Sequence, residues 1–471
     1  MRLDEELNKL KEDIPDNDLN YKIIYKKRNI IQRKTINTKR LMYLTMALVG
    51  AVVVSTCSIF PFVNDKKIGN NYDKIAELLS DVQDNKISTK PREYDTFVDK
   101  YNVFCQKIAE QLINNGKNNV ISPYSIFSNL VLAQEVSSGK TRDEILTALD
   151  MSNELIKNNY PYFFSKHNYE ITDKDDIISK ENTYNSIWIQ NNLNVKMDCV
   201  NRLAQIYSCY PYHINFKNSI EANNCITEYV KKNTNNLIDT NFNLSEYTKA
   251  CMINVNYLHD IWGINELSKT NNQYFYNYDL SKTYTKYNIT DYMNGKIVEE
   301  QEYSYFYSCT KMYRIIFILP NENVNIHDVY NSVTLNKIKN TQYILEDDEN
   351  IYFTRCIFPN FKLESELLKI ANVLKNKFNI VSLFDSSNSD FSSLLDEKVY
   401  FDDILHKSKL EVNEKGIEGA SVTISPVIET SIGINHKKKN IKTDFLINKS
   451  FGVIVESLSG EIIYNGIIDN I

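Results

Sequence analysis

The side chains best suited to ligating a metal or attacking a substrate are few and scattered. Six histidines, at 167, 213, 259, 327, 406 and 436, show no ligand spacing, and eight cysteines, at 57, 105, 199, 209, 225, 251, 309 and 356, form no C-x-x-C pair. The chain also lacks a G-x-S-x-G elbow, an H-E-x-x-H helix and a P-loop. The expectation is a protein that is not an enzyme and that holds no metal or cofactor. The segment with unusual chemistry is instead EVNEKGIEGASVTISPVIETS, residues 411–431, which follows Glu411, Glu414 and Lys415 with small, hydroxylic or β-branched side chains. Between Ile417 and Ile428 the only charge is Glu418. On these residues alone it reads equally as an edge strand, a Ser/Thr-rich loop or a strand held in reserve.

The elements around it come from periodicity. Phe97, Tyr101, Phe104, Ile108 and Leu112 recur at helical spacing, with Gly116 closing the run. Ser122 and Pro123 start a second helix that Gly139 ends, and Thr141 with Glu144 reads as a capping box for the next. Residues 152–182 are charged and aperiodic, a surface excursion. Residues 183–190, 250–263, 313–320, 352–361 and 451–468 are strand-like, the last a hairpin turning at LSGE, with helical stretches at 219–238 and 364–379. Helices early and strands late give an α+β fold.

A net charge of -6 gives no case for nucleic-acid binding. Near the start, Leu41 to Val63 is 23 residues without a charge; as a helix it would span roughly 34 Å, enough for a hydrocarbon core of about 30 Å. Eight basic residues lie between Lys22 and Arg40, and only Lys66 and Lys67 follow closely. The positive-inside rule keeps residues 1–40 cytosolic and makes 41–63 the signal-anchor of a single-pass type II membrane protein, its body lumenal or extracellular. The rival reading is a signal peptide cleaved near Cys57 and a secreted product. Residues 64–95 read as a stalk and 96–471 as one domain. Asn243 and Asn288 head glycosylation sequons in stretches read as surface; Asn448 fits the sequon within a strand read as buried.

Five segments, NNVISPYSIFSNLVLA (118–133), NVNYLHDIW (254–262), LFDSSNSDFSSL (383–394), ILHKSKLEVNEKGIEGAS (404–421) and FLINKSFGVIV (445–455), resemble serpin segments in serpin order. The resemblance implies a single domain of three β-sheets, eight or nine helices and an exposed reactive-centre loop. It implies a suicide-type serine protease inhibitor whose cleaved loop inserts into the central sheet; the alternative within the family is a non-inhibitory binding or chaperone-like protein. Inserted in the family's register, Ile417, Gly419, Ser421, Thr423, Ser425 and Val427 would face the body, and Glu418, Ala420, Val422, Ile424, Pro426 and Ile428 the outside. No charge would then be buried unpaired.

The same resemblance makes Glu414, Gly416, Ile417, Glu418, Gly419, Ala420 and Ser421 the loop hinge. It assigns Ser125, Ser128, Asn256, Trp262 and His406 to the polar cluster and breach that control sheet opening. Counting from Glu414 puts the scissile bond between Thr430 and Ser431, bait for an elastase-like or subtilisin-like protease. The span from Glu414 to Asn448 is about nine residues longer than usual, and a shifted register would present the basic run 436–439 to a trypsin-like enzyme. Three departures stand out: Ile417 is bulky at the first residue to insert, Asn360 replaces the lysine expected to latch Glu414, and Gly452 replaces a large apolar residue, which would loosen packing.

Overall fold

The computed structural model describes residues 75–82, 87, 89–113, 117–173, 176–262, 269–417 and 438–471. In chain order the first half holds β1 (Glu77–Leu78), α1 (Tyr94–Leu112), β2 (Asn119–Ile121), α2 (Pro123–Val136), α3 (Gly139–Leu149), α4 (Asn153–Lys166), β3 (Tyr169–Asp173), β4 (Asp176–Gln190), α5 (Met197–Ile206), β5 (Cys209–Ile214), α6 (Ser219–Asn233) and β6 (Ala250–Ile261). Next come β7 (Lys269–Tyr276), β8 (Lys282–Ile289), β9 (Met293–Asn294), β10 (Val298–Glu299), β11 (Tyr303–Cys309), β12 (Tyr313–Pro320), α7 (Ile326–Val329), α8 (Ser332–Lys339) and β13 (Asn350–Pro359). The last are β14 (Phe361–Glu364), β15 (Leu368–Lys369), α9 (Ala371–Phe378), β16 (Leu405–His406), β17 (Lys409–Asn413), β18 (Gly416–Ile417), β19 (Lys439–Leu446), β20 (Phe451–Ser457) and β21 (Ile462–Ile468).

Three large sheets result. The eight-stranded sheet runs β1-β5-β4-β6-β18-β17-β14 with β3 on β4, the six-stranded one β10-β11-β12-β20-β21-β2, and the five-stranded one β19-β13-β8-β7 with β9 on β13. The main core cluster joins α1 and α2 to the six-stranded sheet through Phe97, Phe127, Ile316, Phe317 and Val453. A second cluster, built on Trp188, Tyr212 and Tyr229, packs α6 against the other face of β4, β5 and β6. Helix α2 starts as its sequence requires: Ser122 Oγ accepts from the Ser125 amide at 3.3 Å and Pro123 takes the first turn. The helix is buried at all but Asn129, so its apolar residues need no single stripe. All seven cysteines among the described residues are free thiols, so no bridge holds this part of the fold.

Several expectations are corrected. Gly139 opens α3 rather than ending α2, and the cap of α3 is Ser138, not Thr141. Thr141 Oγ1 instead accepts from the Asp390 amide, and Glu144 from the Val381 and Ser382 amides, so long-range partners use the groups that looked local. The described residues of 152–182 form helix α4, β3 and the start of β4, with Lys166 paired to Glu461, Lys180 to Glu170 and Glu181 beside His167. Residues 364–379 contain only the short α9, preceded by the ends of β14 and β15. Within the stretch read as stalk, Glu77 and Leu78 pair with His213 and Tyr212 of β5, and α1 already begins at Tyr94. Asn288 is fully buried on β8, its amide donating to Asn360 Oδ1 at 2.7 Å, which leaves no room for a glycan; Asn243 is exposed. Asn448 lies in the short link between β19 and β20, half-buried. Residues 41–63 lie outside the described residues, among which no helix is long and apolar enough to cross a membrane.

Candidate functional site

The site is an incomplete seam in the eight-stranded sheet. After β17 the chain turns at Glu414 and Lys415, with Asn413 Oδ1 accepting from the Lys415 amide at 2.8 Å, and returns as β18. Gly416 and Ile417 pair with Asn413 and Val412 on one side and with Ile261 and Asp260 on the other. Gly416 has φ +146°, and an added Cβ would lie 2.1 Å from the Asp260 carbonyl oxygen, so only glycine passes here. Ile417 is 1% exposed and joins the main core. Its bulk is accommodated at rest.

Below this single rung nothing described pairs with the facing edges of β6 and β17, and a cavity of about 810 Å³ opens there. Ser122 and Ser125 of the α2 start, Asn256 of β6, His406 of β16, Ser408 and Tyr464 line it. His406 Nε2 accepts from the Ser122 amide at 3.1 Å and lies 2.9 Å from Ser408 Oγ, so its ring proton sits on Nδ1. Burial pulls the imidazole down to about 4, leaving it neutral at pH 7. Asn256 Nδ2 donates to Glu181 Oε1 (2.9 Å) and Thr183 Oγ1 (3.1 Å), while its Oδ1 accepts from Tyr464 Oη (3.1 Å). The structure thus brings Ser125, Asn256 and His406 to one cavity. Ser128 is fully buried one turn along α2 and does not line it.

Trp262, just past β6, donates from Nε1 to the Asn413 carbonyl at 2.9 Å and packs on Phe358. It therefore holds the top of the seam, where β17 turns. The hinge carboxylate is also held, by an unforeseen cation: Lys286 of β8 lies 3.0 Å from Glu414 Oε1, and Asn360 Nδ2 donates to Oε2 at 3.0 Å. The latch expected to be missing is present, with the charge moved to another strand. Bonds from its own backbone, from Lys286 and from Asn360 hold the Glu414 carboxyl at about 2. At Gly452 a Cβ would come within 2.8 Å of the Tyr330 ring, which fills the space, so packing there is tight.

Two buried carboxylates close to the seam escaped sequence reading. Glu181 of β4 is 2.8 Å from His167 Nδ1 and also accepts from Tyr313 Oη and Asn256. It lay in the stretch read as a surface excursion, where the unbroken strand pattern of IISKENTYNSIWIQ was the available signal. Asp260 stands opposite Ile417 and accepts from the Met312 amide at 2.8 Å; burial pushes its carboxyl up to about 7. Glu418, Gly419, Ala420, Ser421, Thr430 and Ser431 lie outside the described residues.

Comparison with known proteins gives a consistent picture. The family model described as Serpin (serine protease inhibitor) matches residues 99–470. Intracellular coagulation inhibitor 2 of Tachypleus tridentatus is 25% identical over 391 residues, covering 80% of this chain and 91% of that one. Plasminogen activator inhibitor 1 of Bos taurus is 25% identical over 341 residues, 68% of this chain and 81% of that one. Among solved structures, the thermophilic serpin tengpin in its native state superposes with a TM-score of 0.67 at 22% identity, over 84% of this chain and 100% of that one.

Proposed function

Because this chain belongs to the serpin family, we propose that it is a suicide-type inhibitor of serine proteases, working by insertion of its own cleaved loop. The observation that carries the reading is the register of the one rung already formed. With Ile417 opposite Asp260, a strand continued downward places residues 418–427 along residues 259–250 of β6, so Val427 reaches Ala250 where β6 begins. The segment and the edge that no described strand covers have the same length. β18 is antiparallel to both β6 and β17, so each added rung makes the better-aligned kind of pairing on two sides. About a dozen ladder bonds at roughly 1 kcal/mol each, with apolar burial, would drive insertion.

In this reading the protease serine attacks the carbonyl carbon of Thr430, the peptide bond to Ser431 breaks with the amine leaving protonated, and the acyl ester forms. Insertion then carries the esterified enzyme away before water completes hydrolysis. Glu414, Gly416 and Ile417 form the hinge, Glu418 to Ser421 follow it in, and an elastase-like or subtilisin-like enzyme suits Thr430. Residues 41–63 would anchor the body to a membrane. With β1 docked, at most 13 residues, 64–76, separate anchor from body, a reach of roughly 45 Å when fully extended.

The test is incubation with a panel of serine proteases, followed by denaturing electrophoresis and sequencing of the released peptide. A complex that survives boiling, with a new terminus at Ser431, is expected. Cleaved chain without complex would favour the second reading, a non-inhibitory binding protein, to which Pro426 points because it cannot donate to a ladder.

A further inference from the structure

Four strand ends of the eight-stranded sheet meet at the pole opposite the hinge. Ile189 of β4 pairs with Ala250 at the start of β6, Gln190 with Ile214 at the end of β5, and His213 with Glu77 at the start of β1. Gly416 pairs with Ile261 at the far end of β6, roughly 36 Å away along the strand. Two connections cover the pole. Residues 215–218 lead into α6, the Phe216 amide donating to Gln190 Oε1 at 2.7 Å, and residues 241–249 lead into β6, the Lys249 carbonyl accepting from the Gln190 amide at 2.8 Å. Asn223 fastens one to the other, its Nδ2 donating to the Leu244 carbonyl and its Oδ1 accepting from the Leu244 amide, both at 2.8 Å. The inner side chains, Phe216, Ala222 and Leu244, pack in the Trp188 cluster, where Ala76 and Ile75 of the chain entering β1 also pack. The outer ones have no such cover. Ile220 is 76% exposed and Tyr247 80%, with Lys217, Lys249, Glu221 and Glu246 exposed around them.

We infer that this pole is a lipid-facing surface, with Ile220 and Tyr247 seated in the headgroup region of a bilayer. Where the chain enters decides the occupant. Only residues 64–74 lie between Ile75, fixed at this pole, and the uncharged stretch 41–63, a reach of roughly 40 Å when extended. On the anchor reading of that stretch, on which the inference rests, the pole stays close to the membrane, and a contact too weak to bind alone is then sufficient. The side chains fit lipid better than a protein. An aromatic ring with a polar tip, a branched apolar group and lysines long enough to keep their amines in water suit the boundary between hydrocarbon and water. Two apolar residues are too few for a stable protein interface, which takes about 20–30 residues a side. The lysines and glutamates balance, so apolar burial rather than net charge drives the contact.

The experiment places the full chain in phosphatidylcholine vesicles, with or without bromine on the acyl chains, and reads tryptophan emission. Wild type is the blank, since Trp188 and Trp262 are buried. Tyr247→Trp reports the pole; Tyr284→Trp, exposed on β8 two residues from Lys286 of the hinge latch, reports the opposite end. In a chain that floats with the vesicles, brominated lipid should cut the added emission of Tyr247→Trp at least about twofold and leave that of Tyr284→Trp unchanged. No quenching at 247, or equal quenching at both positions, overturns the docking and leaves the anchor standing. A chain that does not float sinks the anchor reading and the docking with it. Should Tyr247→Trp disturb its loop, Ile220→Trp is a second reporter and must be quenched alike. A glycan on Asn243, which shares the loop, would hold the pole off the lipid and likewise overturn the docking. Insertion as proposed brings Val427 to Ala250 at this same pole, so a trapped protease should displace the lipid and relieve the quenching. Quenching retained in the complex would count against that insertion and not against the docking.

Discussion

In the six-stranded sheet, β12, β20 and β21 are buried along nearly every residue, with Phe317, Val453, Ile454, Ile463 and Ile467 filling the interior. In the eight-stranded sheet no described strand continues β18 between β6 and β17, and the gap below it is lined by Ser125, Asn256 and His406 among others. Interiors packed to crystal-like density gain from every contact they keep. The cavity at the seam is lined by apolar side chains as well, Ile253, Leu258, Leu410 and Ile417 among them, so what sets the seam apart is the missing pairing of its described strand edges and the space left there, which make it the less costly place to open. On the insertion reading, the first sheet is the anvil against which the second would move.

The largest effect expected from breaking that contrast lies in the anvil. Phe317→Ala should cost about 3–5 kcal/mol of unfolding free energy in denaturant, against about 1 kcal/mol for truncating a seam side chain such as Ser125→Ala. Equal costs would erase the difference between the sheets.

Next comes the buried carboxyl at the top of β6. The Asp260 carboxyl is raised in the folded chain to about 7 from 3.8, so its contribution is complete below about 4 and is lost as pH rises through 7. Asp260→Asn should thus match the wild type near pH 4 and exceed it by about 3–4 kcal/mol above pH 8. His406 runs oppositely: its depressed value, about 4, gives a contribution present above pH 6.5 and lost on the way down to 4. A parallel pH dependence for Asp260→Asn and wild type would show that burial does not raise the Asp260 carboxyl.

Smaller still is Gly452→Leu, which must displace the Tyr330 ring and should cost about 1–3 kcal/mol, partly restored by Tyr330→Ala in the double variant. If the single variant melted with the wild type, Tyr330 would not be the filler. The smallest concerns the hinge latch. Lys286 and Glu414 are partly exposed, so Lys286→Ala should change stability by less than about 1 kcal/mol. It should nevertheless raise the Glu414 carboxyl from about 2 in an NMR titration, with stability then fading at higher pH on the acid side. A Glu414 that titrates unchanged would mean Asn360 and the backbone hold it alone.

How much of this was legible follows the range of the interactions. Ser122 with Pro123 and the 451–468 hairpin announce themselves locally, and the structure places them as read. Lys286 is invisible from sequence because it meets Glu414 only after β8 and β13 pair, with Tyr287 opposite Pro359. Thr141 and Glu144 have the spacing of a capping box, yet Asp390, Val381 and Ser382, more than 230 residues away, claim them. Charge misled in residues 152–182, because Glu181 is satisfied by His167, Tyr313 and Asn256 rather than by water. A departure from the family pattern, such as Asn360 or Gly452, was readable as a loss but not as the compensation that Lys286 and Tyr330 supply.

The central claim is that the edge of β6 that no described strand covers is reserved for residues 418–427. Thermal unfolding of the intact chain and of the chain cut once within 428–437 tests it in one comparison. The account predicts that the cut form melts far above the intact form, by more than about 15 °C, since about a dozen new ladder bonds in a domain of this size shift the midpoint by several degrees per few kcal/mol. A cut form that melts at or below the intact temperature would contradict it.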